Sequence, residues 1–237
     1  MANFNTHLTV AAVASGALAT AFLGAQIVKP QDVVLLSLVG TVGGMLPDID
    51  SDKSTPVKLM FSTLAIIFGF MVMFAKAAHF SIVELWIAWG IGYALVRHVA
   101  FEVFKNLTVH RGIFHSIIAG LFFWFFATAL CYHLFDFTKF LSWTIGFFVF
   151  FGFTVHLCLD EVYSVDLLNR RIKRSLGTAL KTHDYNNLKT SGYMAGAMLL
   201  MFMFTPSSDG FGQVFFNSKT YLNIWHNLLP HGMWFSG

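Results

Sequence analysis

HRGIFHSIIAGLFFWFFATALCYHLF, residues 110–135, opens with two histidines and an arginine and then runs almost without charge to Phe135. An apolar run of about 20 residues is long enough to cross the bilayer hydrocarbon as a helix. Similar runs recur along the chain, and its composition agrees: 56% of the 237 residues are hydrophobic, 28 are Phe, and only 11% are charged. That is far from a soluble globular average. The spacing predicts spans over roughly 8–28, 31–46, 59–78, 82–101, 113–134, 140–159 and 191–204. The expected fold is therefore all-α, a polytopic transmembrane helical bundle of about seven membrane segments, some short or interfacial. Pro47 ends the second.

One domain is expected over 1–204, with a basic cytoplasmic loop at about 161–190, followed by a tail over 205–237 that is periplasmic or interfacial. The first apolar run has small residues like those of a signal peptide, but no Lys or Arg precedes it, so it reads as an uncleaved helix. Cys131 and Cys158 lie inside apolar runs and suggest neither a disulfide nor a thiolate zinc site. Gly40/Gly44 and Gly192/Gly196 are small-xxx-small pairs suited to close helix contact.

Orientation follows from Lys and Arg. With the N-terminus in the cytoplasm, Lys53, Lys58, Arg97, Lys105, Arg111, Arg170, Arg171, Lys173, Arg174, Lys181 and Lys189 fall inside. Lys29, Lys76, Lys139 and Lys219 fall outside. The bias comes mostly from RRIKRSLGTALKTHDYNNLK, residues 170–189. Four polar groups then meet at the cytoplasmic face: His7 at the start of the first span, PDIDSD (47–52) closing the second, His110 and His115 opening the fifth, and HLCLDE (156–161) closing the sixth.

Carboxylates and imidazoles beside hydrocarbon need partners, since an Asp at a helix centre costs on the order of 3 kcal/mol on insertion scales. A divalent cation is such a partner: neutral imidazole nitrogens and carboxylate oxygens are ligands for zinc and similar ions. His156 and Asp160 are i and i+4, on one helix face. Gly112 allows His110 to sit on a turn before a helix whose first turn carries His115. Asp48 and Asp50 flank Ile49 in what reads as an extended loop, with both side chains on one side. The candidate ligands are His7, Asp48, Asp50, His110, His115, His156 and Asp160, for one or two ions, zinc first and manganese as the alternative. Either aspartate of the pair could ligate while the other orients a histidine or bridges a second ion.

These residues resemble inner-membrane proteins of the YdjM type, a family assigned as metal-dependent hydrolases, some of them LexA-regulated. The matching features are His7, LPDID at 46–50, HRG-x-x-HS at 110–116 and H-L-x-x-D at 156–160. They occur in the family's order within residues 1–190. The family often has Thr where this chain has Phe114, which removes a hydroxyl from the site edge but no ligand. The family is distantly similar to zinc-dependent phospholipases C. The resemblance implies hydrolysis of a phosphoester, in a lipid or other amphiphile, at the bacterial inner membrane.

The expected mechanism uses metal-activated water. Asp50 or Glu161 is the candidate proton acceptor, and Arg111 the group that meets an anionic headgroup or stabilises developing negative charge. Membrane lipid is the expected partner, and no nucleic acid, because the basic loop has a simpler explanation in topology. Two other readings use the same residues. A transporter would spread polar groups over several depths, whereas these cluster at one face. A structural or partner-binding protein would use the metal to join helix ends, and an open coordination position would separate that from catalysis. No H-E-x-x-H is present, which argues against a zincin.

Overall fold

The computed structural model describes residues 4–50, 55–75, 80–102, 114–166, 171–172, 181–183 and 188–228. Among them the helices are α1 (Phe4–Gly24), α2 (Pro30–Gly43), α3 (Thr55–Ala75), α4 (Ile82–Ala94, continued as a π-helical turn Leu95–Ala100), α5 (Ile117–His133), α6 (Lys139–Ser164), α7 (Leu188–Met203), α8 (Phe211–Phe216) and α9 (Ser218–His226). The only strand pairing among the described residues is two residues long, Val165–Asp166 antiparallel to Arg171–Ile172.

Among the described residues, three helical stretches are long and apolar enough to cross a membrane: Phe4–Gly24, Ile82–Ala100 and Lys139–Tyr163. Pro30–Gly43, Leu64–Ala75 and Ile117–His133 are shorter apolar helices. The all-helical architecture thus matches the expectation, and the described residues hold three long spans and three shorter apolar helices where about seven segments were expected.

Local chemistry sets the helix ends. Pro30 occupies the first turn of α2, where its missing N–H costs nothing. Ser81 caps α4, and Glu84 returns a carboxylate to the Ser81 backbone N–H at 2.7 Å. Ser116 caps α5 by accepting from the Ala119 N–H at 3.3 Å. Within the apolar helices, hydroxyls donate to the carbonyl one turn back, as in Thr128 to Trp124, Thr144 to Phe140 and Thr154 to Phe150. That bond satisfies a hydroxyl set among apolar side chains.

α6 is the central element. It packs against α1, α2 and α5, while α5 also packs on α7 and α3 pairs with α4. Phe148, Phe153 and Leu157 of α6 are fully buried. Around them lie two apolar clusters, one with Leu46, Phe61, Ala119 and Val149, the other with Phe22, Leu36, Phe135 and Ile145. By contrast Ile82, Trp86, Ile87 and Ile91 of α4 are exposed, a face suited to lipid rather than water.

Small residues bring α1, α2 and α6 together almost backbone to backbone. A Cβ on Gly152 would overlap the Gly40 carbonyl, one on Gly43 would overlap Val149, and one on Gly44 would overlap Ala11. Gly40 itself abuts Ser15. The Gly40/Gly44 pair therefore makes the close contact its spacing suggests, whereas Gly192 and Gly196 have nothing within 4 Å where a Cβ would stand.

The described residues after Pro206, up to 228, pack back on the bundle. Trp143 Nε1 donates to the Pro206 carbonyl at 3.1 Å, and Phe211 is buried among Trp124, Trp143 and Phe147. The Asn227 amide donates to the Gly24 carbonyl at 2.8 Å, satisfying the C-terminal end of α1.

Candidate metal centre

Four elements converge at one end of the bundle, each supplying one or two polar side chains. His7 lies in the first turn of α1, and His156 and Asp160 lie one turn apart near the end of α6. His115 lies just before the Ser116 cap of α5. Asp48 lies in the short 3-10 turn Pro47–Asp50 that follows α2. His7, His156 and Asp160 are buried, at 2%, 1% and 2% exposure, at the end of an apolar bundle where charge must be compensated.

The carboxylate of Asp160 is the hub. Its Oδ1 lies 3.2 Å from His7 Nε2, and its Oδ2 lies 3.7 Å from both His115 Nε2 and His156 Nε2. Asp48 Oδ1 stands 3.5 Å from His156 Nε2. The His7 and His156 rings are stacked, with centroids 3.7 Å apart and planes inclined by 13°.

His156 is oriented from behind. Its Nδ1 donates to the Gly44 carbonyl at 2.7 Å, so Nε2 carries the lone pair that faces the two carboxylates. That carbonyl is on offer because α2 ends there: the last carbonyls of a helix have no partner within it.

The donor set suits a divalent cation. Two groups, His7–His156–Asp160 and Asp48–His115–His156, each hold their ligand atoms within 4.8 Å of one another. His7 Nδ1 and Nε2, His115 Nε2 and His156 Nε2 are buried with no aligned hydrogen-bond partner, which is costly unless something else engages them. The 3.2 Å approach of His7 to Asp160 is thus an ion-pair distance without hydrogen-bond alignment. Burial pushes the His115 imidazole down to about 4, so His115 is neutral at physiological pH, the form that ligates.

The structure thus brings together His7, Asp48, His115, His156 and Asp160. Glu161 follows Asp160 on α6, half-buried on an adjacent face. His110, Arg111 and the Asp50 side chain lie outside the described residues. Two local readings are corrected. Asp48 and Asp50 sit in a 3-10 turn rather than an extended loop, so alternation does not align them. His115 precedes α5 rather than occupying its first turn, because Ser116 is the cap.

Sequence reasoning missed two participants. The Gly44 carbonyl is one; its signal was the Gly-Gly helix end before Pro47. The other is the strip 181–183, which forms a parallel bridge between Lys181 and Ser116. The Lys181 and Thr182 carbonyls accept from the Ile117 and Ile118 N–H groups at 3.0 and 3.2 Å, satisfying the free start of α5. This places the Lys181 charge near His115. The sequence offered only a cation in a basic loop.

No curated protein and no solved structure matches the chain. Over residues 1–204 it matches the YdjM inner membrane protein family, a stretch that contains every residue of the cluster. The chain belongs to the YdjM inner membrane protein family.

Proposed function

We propose that the protein is a membrane-embedded, divalent-cation-dependent hydrolase acting on a phosphoester of a lipid or other amphiphile at the cytoplasmic interface. In this reading the apolar helices α1 to α7 each cross the membrane, and the cluster faces the cytoplasm on the Lys/Arg bias of the loops. The observation that carries it is the bond from His156 to Gly44, which fixes the tautomer of a buried histidine and turns its lone pair toward two carboxylates. Dedicated orientation of this kind is what metal-ligating histidines receive.

His7, Asp48, His115, His156 and Asp160 would hold the cation, zinc by the chemistry of nitrogen and oxygen donors, with manganese as the alternative. When bound, it would lower the pKa of a water and polarise the ester under attack. Glu161, beside the cluster, or Asp50 would accept the proton from that water. Arg111 and Lys181 would meet the anionic phosphoryl group, Lys181 because its backbone is tied to the start of α5. The apolar helices around the site would leave the acyl chains in lipid while the headgroup reaches the cluster. This chemistry is of the phospholipase C kind.

The test is metal content per chain on detergent-purified protein, followed by a panel of phospholipids and soluble phosphoesters. Stoichiometric metal that is lost in a folded His156→Ala/Asp160→Ala variant, with turnover of a lipid phosphoester, is the expected result. Turnover of soluble esters alone would remove the lipid part. Metal without any turnover favours the second reading, in which the ion joins the ends of α1, α2, α5 and α6. Absence of metal after reconstitution refutes both.

A further inference from the structure

We infer that the cluster holds two cations, shared unequally across Asp160, rather than one. The inference rests on the metal-binding reading above and deepens it.

A cation binds an imidazole near the ring plane, along the lone pair. The His7 and His156 planes are inclined by only 13° with centroids 3.7 Å apart. Two nearly parallel planes at that separation do not share a point lying along both lone pairs. Each ring instead faces its own oxygen of one carboxylate: His7 Nε2 approaches Asp160 Oδ1, and His156 Nε2 approaches Asp160 Oδ2. A carboxylate with one oxygen turned to each of two stacked imidazoles is disposed as a bridge. The ring separation is close to the ion spacing of two-metal hydrolytic sites, about 3.5–4 Å.

The imidazole of His156 cannot be the bridge, because its Nδ1 is committed to the Gly44 carbonyl. It has one ligand atom left, so Asp160 has to link the two positions. An independent observation supports the His7 side. Both His7 nitrogens are buried without an aligned partner, in a side chain that is almost wholly enclosed.

The two positions differ in donors. On the His156 side stand His156, His115, Asp48 and one oxygen of Asp160, enough for a closed tetrahedral shell. On the His7 side, among the described residues, stand His7 and the other Asp160 oxygen. The first is suited to a tight ion that organises the helix ends. The second retains coordination positions for water and a substrate oxygen, and it should exchange more readily.

The experiment is a manganese titration of chelator-stripped, detergent-purified protein, read by bound metal per chain and by electron paramagnetic resonance. Wild type is expected to bind two ions in two affinity classes, with a spin-coupled spectrum at saturation. His7→Gln is expected to bind one ion at near wild-type tight-site affinity and to give the uncoupled six-line spectrum. Saturation of wild type at one ion, or two ions without coupling, would overturn the inference. So would a folded His7→Gln variant that keeps both ions or loses both. If His7→Gln does not fold, the wild-type stoichiometry and spectrum decide alone. One ion would leave the hydrolase reading standing, whereas no bound ion would end both.

Discussion

His156 donates its Nδ1 proton to the carbonyl of Gly44, 112 positions earlier in the chain, at 2.7 Å. The bond joins the end of α2 to the end of α6 and settles which nitrogen of His156 faces the acidic cluster. Position 44 has to be glycine for a separate reason, since a Cβ there would run into Ala11. Helix packing and histidine orientation therefore depend on one residue.

Gly44→Ala should accordingly weaken metal binding by about 10–100-fold, the usual cost of losing a partner behind a metal-binding histidine. Gly192→Ala, where a Cβ meets nothing within 4 Å, should leave it unchanged. Competitive titration against a metallochromic chelator measures both. Equal affinities for the two variants would show that a Cβ at position 44 does not displace the carbonyl from His156.

Gly152 lies against the Gly40 carbonyl, and no side chain there can move aside because the neighbour is backbone. Gly152→Ala should force α2 away from α6 and destabilise the protein by at least about 1–3 kcal/mol, as overpacking does. Thermal melting in detergent should show this, with Gly196→Ala as the neutral control. A wild-type melting temperature for Gly152→Ala would contradict the backbone-to-backbone contact.

The lowered pKa of His115 has a consequence for metal-free protein. In the unfolded chain this imidazole protonates near its ordinary value of 6.5, while in the fold it resists until about 4. Between those values the unfolded state takes up the proton and the folded state does not. Stability from this group is therefore present above 6.5 and falls as pH drops toward 4. His115→Gln should lose less stability than wild type over that window. The measurement is the difference between their melting temperatures as a function of pH, and a flat difference would count against a buried, neutral His115.

Lys181 is tied by its backbone to the cap of α5 and its charge acts on His115. Lys181→Gln should leave metal content unchanged and weaken inorganic phosphate binding to the metal-loaded protein by up to about fivefold, the scale of one partly exposed charge pair. The loss should shrink at high salt. Calorimetric titration at two ionic strengths checks it, and unchanged phosphate affinity would remove Lys181 from the anion site.

Apolar run length and its interruption by Pro47 are local properties, so the helical architecture was legible in the sequence, whereas the Ser116 cap that starts α5 was not. So was the His156–Asp160 pair, because four residues of helix bring two side chains to one face whatever surrounds them. His7, Asp48 and His115 could be assigned to the same face, since consecutive helices of a bundle alternate direction and return their ends to shared levels. What the tertiary structure alone decided is the geometry among those ends. The parallel stacking of His7 on His156, the division of Asp160 between them, the Gly44 carbonyl behind His156 and the Lys181 strip over α5 all join residues distant in the chain. Each depends on how closely and at what angle the helices meet, and that is set by the glycine contacts of α2 with α1 and α6 rather than by any local pattern.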